Sequence, residues 1–456
     1  MVLKPQVFKA NDIRGLVSGD DIEWDLAGAR ALGGAYVRLL GLSGGTFLIG
    51  RDMRHLGAEL AAAFADGAMA AGASVIDIGL SSTDQLWFAS GWLELPGVQF
   101  TASHNPASYN GVKFCLAGAA PVPEDFTRRL SEEARAESVA SPVRGGYATR
   151  DLLDEYARYL RQLVPIHPGR RLRVVVDAGN GMAGHTVGGV FAGLNVELIG
   201  LYLELDGSFP NHPANPLDPA NLVDAQRAVV EHGADLALVF DGDADRCFII
   251  DQNGDVVDPS LITALIASAE LNKHPGSAIV INTITSAGVA RVVRERGGRL
   301  VTSKVGHTYV KAAMAAHDAV FGGEHSAHYY FREFWGADTG MLAALHVLAM
   351  LASSQASLSE LVANYDSYVR SGEINSAVAD PDAVIAALAA RFSGRAEITF
   401  EDGLMARRMD DGQLRWWLNV RPSNTEPLLR LNVEALDEPT MSALRDEALT
   451  LIEETR

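Results

Sequence analysis

Three aspartates at alternate positions, Asp241, Asp243 and Asp245, are the strongest candidates for metal chemistry in this sequence. They directly follow the apolar run Leu-Ala-Leu-Val-Phe, which predicts a buried strand. Carboxylates on a loop that leaves such a strand can converge on one hard cation through oxygen ligands. The alternative is a solvated acidic turn, which seldom follows so apolar a run. An EF-hand is disfavoured, because its loop requires glycine at the sixth position and glutamate at the twelfth, where this chain has Arg246 and Gln252.

A serine beside a histidine is the candidate nucleophile. Ser103 and His104 stand in the segment Thr-Ala-Ser-His-Asn-Pro, at the end of a predicted strand over residues 98–101. The G-x-S-x-G pattern of a hydrolase nucleophile is absent, and a polar turn broken by Asn-Pro is the alternative. Lys113 follows ten residues later, after an Asn-Gly pair that predicts a turn. That turn would return an ammonium group to the serine, whereas an isolated lysine would simply be solvated.

A third motif, Gly-Gly-Glu-His-Ser-Ala-His over residues 322–328, is a candidate sugar-binding loop. In an extended conformation Glu324 and Ser326 point to the same side, where they can hold neighbouring hydroxyl groups. His328 titrates near neutral pH and can serve as an acid or a base. Zinc is disfavoured, because the metalloprotease pattern H-E-x-x-H is absent.

Candidate phosphate-binding residues lie in three further segments. Arg421 opens the segment Arg-Pro-Ser-Asn-Thr, and an arginine offers a fork of donors to a phosphate group. A plain hairpin loop is the alternative for this segment. Arg14 near the amino terminus, and Lys304 with His307, add further cationic groups. The remaining donors of the Arg421 segment are Ser423, Asn424 and Thr425.

The first three motifs follow a repeated order of predicted strands. In each repeat, two short apolar runs precede a third run, and the polar motif comes directly after the third. The third runs are residues 98–101, 236–240 and 319–321. Alternating strands and helices predict parallel sheets, and ligands collect at the carboxyl ends of the strands in such sheets.

The last part of the chain has a different pattern. A predicted helix over residues 382–392 precedes alternating runs near residues 415–420 and 428–433, which favour an antiparallel sheet. The fold class is therefore predicted as α/β, with three related α/β domains of mixed or parallel sheets and a C-terminal α+β domain. The predicted domains are residues 1–145 with the serine loop, 146–258 with the aspartate loop, 259–370 with the sugar loop, and 371–456.

Composition narrows the class of protein. At 456 residues the chain is expected to form several domains, and a formal charge of −19 argues against a sequence-independent nucleic-acid binder. The amino terminus lacks the apolar segment of a signal peptide, and the most apolar stretch, residues 341–351, is shorter than the roughly 20 residues of a membrane span. Cys115 and Cys247 show neither CxxC spacing nor a disulfide framework. We therefore predict a cytoplasmic protein with no nucleic-acid or membrane partner.

Taken together, the motifs resemble the α-D-phosphohexomutase superfamily, and most closely its phosphomannomutase/phosphoglucomutase branch. Five segments carry the resemblance, in the family's order and along the whole chain: FKANDIRG, TASHNP, DGDADR, GGEHSAH and RPSNTEP. The resemblance implies four domains around a central cleft. It also implies an intramolecular phosphotransferase that interconverts hexose 6-phosphate and hexose 1-phosphate, with mannose and also glucose as the sugar, through a 1,6-bisphosphate.

The resemblance implies a role for each matching residue. Ser103 is expected to carry the phosphoryl group and, with the three aspartates, to hold Mg²⁺. The expected residues of the transfer site are Arg14, His104, Lys113, Arg246 and His328. The expected sugar- and phosphate-binding residues are Lys304, His307, Glu324, Ser326, Arg421, Ser423, Asn424 and Thr425. A hexose 1,6-bisphosphate is the expected activator, and a monomer or weak dimer is the expected assembly.

Two positions depart from the family's pattern and keep alternatives open. Asn11 stands where the family often has an aromatic residue, and His325 stands where the mannose and glucose enzymes often have methionine. A phosphoglucosamine mutase is therefore an alternative. A metal-dependent sugar-phosphate hydrolase with an aspartate nucleophile, and a non-catalytic sugar-phosphate sensor, are the further alternatives.

Overall fold

A computed structural model describes residues 1–136, 141–166, 169–422 and 428–455 of the chain. The chain forms two compact units, of which the first contains Met1–Val257 and Ser326–Ser359, and the second contains Asp258–His325 and Glu360–Arg456. Among the described residues, no helix has the length and apolar character required to cross a membrane.

The strands follow one another along the whole chain. In chain order they are β1 (Ile13–Leu16), β2 (Thr46–Arg51), β3 (Ser74–Leu80), β4 (Gly97–Phe100), β5 (Tyr109–Cys115), β6 (Tyr147–Thr149), β7 (Leu172–Asp177), β8 (Val196–Leu201), β9 (Leu236–Phe240), β10 (Cys247–Asp251), β11 (Val256–Val257), β12 (Ala278–Asn282), β13 (Arg299–Ser303), β14 (Phe321–Gly323), β15 (Tyr329–Phe331), β16 (Ala337–Asp338), β17 (Val369–Arg370), β18 (Ile374–Ser376), β19 (Glu397–Thr399), β20 (Leu404–Asp410), β21 (Gln413–Pro422) and β22 (Leu429–Ala435).

The helices lie between these strands. In chain order they are α1 (Leu26–Leu40), α2 (Gly57–Ala70), α3 (Thr83–Leu93), α4 (Phe126–Arg135), α5 (Leu153–Leu163), α6 (Ala183–Phe191), α7 (Val223–His232), α8 (Pro259–Lys273), α9 (Ala287–Glu295), α10 (His307–His317), α11 (Gly340–Ala352), α12 (Leu358–Ala363), α13 (Pro381–Phe392) and α14 (Glu438–Glu454).

The first unit contains two mixed sheets with a shared plan. In the first sheet the strand order is β1-β5-β4-β2-β3-β6, with β2 parallel to both β3 and β4, and β5 antiparallel to β4. In the second the order is β11-β10-β9-β7-β8, with β7 parallel to both β8 and β9, and β10 antiparallel to β9. Both sheets therefore contain three parallel strands, as the repeat in the sequence predicts. In both, the third of these strands is followed by an antiparallel strand.

The central strands of these sheets are short and apolar because both of their faces are covered. Every residue of β4 and of β9 is buried, and so is every residue of β7 except Arg173. The edge strand β8, in contrast, is half-buried or exposed along its length. Aromatic side chains fill the core of the first sheet, where the Tyr36 ring lies 5.2 Å from that of Phe47 and 5.7 Å from that of Phe64. Continuous apolar burial of this kind is typical of parallel sheets with helices on both faces.

The second unit combines the third repeat with the C-terminal part of the chain. Its first segment has β12 parallel to both β13 and β14, in the same order as the two sheets above. Its second segment is an antiparallel sheet in which β22, β21, β20 and β19 pair in sequence, with β17 and β18 both on β22. The antiparallel sheet confirms the predicted α+β character of this region.

The edge strand β6 pairs with β3, so the first sheet includes residues beyond 145, the predicted end of the first domain, and the domain limits stay predictions. One local expectation needs correction. The predicted Asn110-Gly111 turn is wrong, because both residues lie inside β5 and the chain turns earlier, where the Tyr109 amide donates to the Pro106 carbonyl (3.0 Å). A side chain at residue 111 would overlap the carbonyl oxygen of Ile13, so the glycine serves close strand packing.

Candidate active site

Ser103 lies on the loop between β4 and β5, at the carboxyl end of β4 in the first sheet. Its backbone has a φ of 50°, in the left-handed region that non-glycine residues seldom occupy, and its side chain is buried. The Ser103 amide donates to Oγ1 of Thr101 (2.9 Å). Its Oγ donates to Oδ2 of Asp241 (2.8 Å) and accepts from Nη2 of Arg246 (2.9 Å). The serine hydroxyl is thus held between an acid and a cation from the second sheet.

The three predicted aspartates do converge, on the loop between β9 and β10. Carboxylate oxygens of Asp241, Asp243 and Asp245 all lie within 4.8 Å of one another, and all three residues are buried. Residue 242 must be glycine, because a Cβ there would lie 2.5 Å from the Ser103 carbonyl oxygen. The two loops therefore touch directly, which brings the candidate nucleophile to the acidic cluster.

Two of the carboxylate oxygens have no hydrogen-bond donor among the described residues. Oδ1 of Asp243 and Oδ1 of Asp245 are buried and accept no hydrogen bond from any described residue. A buried carboxylate oxygen without a donor is costly, whereas Mg²⁺ prefers oxygen ligands of this kind. The residues present therefore fit a divalent cation. A second group, formed by Asp245, His328 and Asp338, meets the same 4.8 Å limit and shares Asp245 with the first.

Two cations balance the acidic cluster. Lys113 on β5 is buried and donates from Nζ to Oδ2 of Asp243 (2.7 Å), and it also contacts Asp245. Arg246 donates from Nε to Oδ2 of Asp241 (2.9 Å). Burial raises the pKa of Asp241 to about 7, against the attraction of Arg246 and in line with the repulsion from its acidic neighbours. Burial also favours a raised pKa for Asp243, but the attraction of the Lys113 ammonium is stronger and holds the pKa of that carboxyl far below its usual range.

His104 and Arg14 lie around the same serine. His104 contacts Arg246 through Nδ1, and its Nδ1 is 3.4 Å from Oγ of Ser103. Burial and the nearby Arg246 charge lower the pKa of His104 well below 6.5, so this imidazole is neutral at physiological pH and accepts at Nδ1. Arg14 on β1 donates to Oδ1 of Asn105 (3.0 Å), which holds it beside the Ser103 loop.

The sugar loop does not have the predicted extended conformation. Residues 325–326 form a turn and Ala327 has a φ of 62°, so the extended backbone on which that expectation for Glu324 and Ser326 was based is not present. Ser326 lies in the first unit, where its Oγ is 2.9 Å from Nδ1 of His328. Nε2 of His328 lies 3.8 Å from Oδ1 of Asp245, so this histidine joins the acidic cluster.

The other predicted substrate-binding residues belong to the second unit. Glu324 is buried, and its Oε2 accepts from Nδ2 of Asn282 (3.0 Å) and from the Gly306 amide (3.3 Å). His307 is the first residue of α10, and the Lys304 ammonium lies 6.0 Å from the Tyr309 ring centroid. Arg421 is the next-to-last residue of β21 and donates from Nη2 to Oε2 of Glu373 (2.8 Å). Ser423, Asn424 and Thr425 lie outside the described residues.

Two residues that support the site were not predicted from the sequence. Thr83, at the start of α3, donates from Oγ1 to Oδ2 of Asp243 (2.6 Å) and from its amide to the Asp243 carbonyl (3.0 Å). Arg54 donates to the Ser103 carbonyl (2.6 Å). Each follows one of the first two strands of its repeat, at the sheet edge that carries the serine. That position could have identified them from the sequence, because polar residues that follow buried strands collect at the same sheet edge as the ligand.

Comparison with known proteins supports one family. Four domain profiles match the chain in order, namely phosphoglucomutase/phosphomannomutase alpha/beta/alpha domains I, II and III over residues 5–140, 154–254 and 258–368, and the C-terminal domain over residues 373–451. A phosphomannomutase from Salmonella montevideo is 39% identical over 98% of both chains. One from Escherichia coli K12 is 38% identical over 98% of this chain and 99% of its own length.

The chain belongs to the phosphoglucomutase/phosphomannomutase family. A crystal structure of a family protein from Burkholderia thailandensis has a TM-score of 0.88 with it at 32% identity, and covers 100% of this chain and 98% of its own. Membership confirms the predicted family and the α/β fold class, and identifies the chain as a mutase, an intramolecular phosphotransferase. The domain limits and the roles of single residues remain predictions.

Proposed function

We propose that this family member interconverts hexose 6-phosphates and hexose 1-phosphates by way of a phosphoryl group on Ser103. The observation that carries the proposal is the position of the Ser103 hydroxyl. Its oxygen lies 2.8 Å from Asp241 and 2.9 Å from Arg246, and the acidic cluster is part of the same buried site. An alcohol that must accept and release a phosphoryl group requires a charge-stabilising donor beside its oxygen, and Arg246 supplies one.

The residues of the chain can be assigned to distinct parts of the transfer. Arg246 and Lys113 neutralise charge on the transferred group, because both are buried cations in a site of low dielectric. Arg14 adds a third cation next to the serine loop. His328 is proposed to take the proton of the attacking sugar hydroxyl, and the contact of Ser326 with its Nδ1 would orient the ring. His104 is neutral and positions Arg246 rather than exchanging protons itself.

The metal is proposed to be Mg²⁺, held by Asp241, Asp243 and Asp245 together with the Ser103 site. When bound, it would supply Lewis-acid polarisation and charge neutralisation at the phosphoryl group. The Oδ1 atoms of Asp243 and Asp245, which accept no hydrogen bond from any described residue, support this assignment. A hexose 1,6-bisphosphate is the proposed activator, because a molecule that has lost the phosphoryl group from Ser103 needs a donor of the same chemistry.

Mannose phosphate is the proposed principal substrate, with glucose phosphate as a second. The family profile carries both activities in its description, and the full-length relatives are phosphomannomutases. Glu324, Lys304, His307 and Arg421 are the proposed sugar- and phosphate-binding residues of the second unit. Glucosamine phosphate stays an alternative, since His325 departs from the pattern of the mannose and glucose enzymes. The proposed location is the cytoplasm, where the buried thiols of Cys115 and Cys247 would stay reduced.

The test compares Ser103→Ala with Ser108→Ala, a matched change of a half-buried serine in the same loop. Each protein receives mannose, glucose or glucosamine 1-phosphate, with Mg²⁺ and a trace of glucose 1,6-bisphosphate, and formation of the 6-phosphate is followed. We expect Ser103→Ala to lose several orders of magnitude in turnover and Ser108→Ala to match the wild type. Steady release of inorganic phosphate by Ser103→Ala would instead indicate a hydrolase with an aspartate nucleophile.

A further inference from the structure

Arg54 makes an unusual set of contacts with the loop that carries Ser103. Its side chain is fully buried. Among the described residues, its two terminal nitrogens donate only to backbone carbonyl groups of this loop and of the first residue of β5. Nη2 donates to Ser103 and Asn105, each at 2.6 Å, and Nη1 donates to Pro106 (2.8 Å) and Tyr109 (3.1 Å). One guanidinium group thus binds four carbonyl oxygens between residues 103 and 109.

Arg54 is itself held in place from two sides. Its Nε lies 3.3 Å from Oδ2 of Asp52, and its backbone amide donates to Oδ1 of the same residue (2.9 Å). The Phe209 ring lies against the guanidinium, with 5.0 Å between the ring centroid and Cζ. The pairing with Asp52 sets a carboxylate against the buried charge of Arg54, and the four carbonyl contacts fix the position of its guanidinium group.

The contact with the Ser103 carbonyl matters because Ser103 has an unfavourable backbone conformation. A non-glycine residue in the left-handed region persists only when its surroundings hold it there. Here Thr101 binds the amide of Ser103 and Arg54 binds its carbonyl, which fixes the peptide groups on both sides of the residue. That conformation aims Oγ at Asp241 and Arg246.

We propose that Arg54 is a positioning residue for phosphoryl transfer, which sets the aim of the Ser103 oxygen by clamping its loop. This inference rests on the proposed function of Ser103. Lysine cannot replace arginine at this position, because its three N–H groups share one nitrogen and cannot reach four carbonyl groups on a fork. Loss of the clamp is expected to slow the transfer step while the substrate and metal sites stay intact.

The experiment compares wild type, Arg54→Lys and Phe209→Leu with the control Arg170→Lys. Arg170 also pairs with an aspartate, Asp235, and donates to the carbonyl groups of Leu351 and Ser354. Arg170 lies at the amino end of the strands of the second sheet, whereas Ser103 lies at the carboxyl end of a strand of the first sheet. The control therefore reports what the loss of a carbonyl-binding arginine does to folding alone.

Each protein is phosphorylated with glucose 1,6-bisphosphate, and the label on Ser103 is quantified by intact mass. Its transfer to mannose 6-phosphate is then followed in a single turnover, with KM and Mg²⁺ affinity measured in parallel. For Arg54→Lys we expect a transfer rate about 100-fold lower, with KM and Mg²⁺ affinity within about threefold of wild type. Phe209→Leu is expected to lose up to about tenfold in the same step, since its ring only covers the guanidinium. The control is expected to transfer at the wild-type rate.

The possible results separate the two proposals. If wild type carries no transferable phosphate on Ser103, the proposed function fails and the role of Arg54 fails with it. If wild type transfers normally and both Arg54→Lys and Phe209→Leu match it per labelled molecule, only the positioning role is refuted. A parallel rise in KM and fall in Mg²⁺ affinity in the same variants, or a similar rate loss in Arg170→Lys, would indicate a general structural role and would also overturn the inference.

Discussion

Replacement of Lys113 by methionine tests how the acidic cluster is balanced. The side chain is 10% exposed, and its two carboxylate partners, Asp243 and Asp245, are 0% and 2% exposed. Methionine keeps most of the volume but removes the charge. Removal of one partner from a buried ion pair typically costs about 3–5 kcal/mol, because it leaves the other charge buried and uncompensated. We expect the free energy of unfolding to fall by about this amount in the absence of divalent cations.

Addition of Mg²⁺ should reverse much of this loss. A ligand that binds only the folded state stabilises it by about 2.7 kcal/mol at 100 times its dissociation constant. Without the Lys113 charge, the acidic cluster attracts a divalent cation more strongly. Lys113→Met should therefore gain more stability from Mg²⁺ than wild type does. The gap in stability between the two proteins should therefore narrow as Mg²⁺ rises, while mutase activity stays low because the phosphoryl group loses a cationic contact.

The assay is urea unfolding followed by circular dichroism, first with EDTA and then across a Mg²⁺ titration. The control is Lys4→Met, which removes a lysine that is 34% exposed and is paired with Asp21, which is 79% exposed. An exposed pair contributes at most about 1 kcal/mol, so this control should stay close to wild type at every Mg²⁺ concentration. A loss below about 1 kcal/mol in Lys113→Met, or a gap that Mg²⁺ leaves unchanged, would refute the reasoning.

Two further predictions follow from the same site. Gly242→Ala puts a Cβ 2.5 Å from the Ser103 carbonyl oxygen, so we expect kcat to fall about 100-fold, and a kcat equal to that of wild type would contradict the contact. Burial raises the pKa of Asp84 from 3.8 to about 6, although Tyr156 and Thr339 donate to it. Between about pH 4 and 6 the folded state therefore holds a proton that the unfolded state releases, and stability falls by roughly 3 kcal/mol as pH rises. Asp84→Asn should lack this decline, and unfolding curves that run parallel for both proteins from pH 4 to 7 would exclude it.

The sequence predicted the order of the elements and the main motifs for a physical reason. Strands covered on both faces must be apolar throughout, so β4, β7, β9 and β12 stand out as short apolar runs between amphipathic helices. In such sheets polar residues are tolerated at the carboxyl ends of strands, where ligands bind. The aspartates after β9 and the serine after β4 are therefore recognisable from the sequence alone.

Local sequence could not decide how loops far apart in the chain meet. Ser103 and Asp241 are 138 positions apart, and their 2.8 Å contact depends on two loops that touch at Gly242. The Asn110-Gly111 pair carries the signal of a turn, but it lies within a strand because β1 and β5 approach too closely for any larger residue. Here tertiary packing overrode a local preference.

Single residues of the sequence thus determined the chemistry that this protein can perform: a hydroxyl, three carboxylates, and the arginines and lysines around them. Only the tertiary structure decided which atoms are used. In it the Oδ1 atoms of Asp243 and Asp245 have no hydrogen-bond donor among the described residues. The loop after Glu324 forms a turn where an extended segment was expected, and Arg54 binds the loop that carries the serine. Such contacts join residues distant in sequence, and their energies depend on burial and distance, which no local pattern encodes.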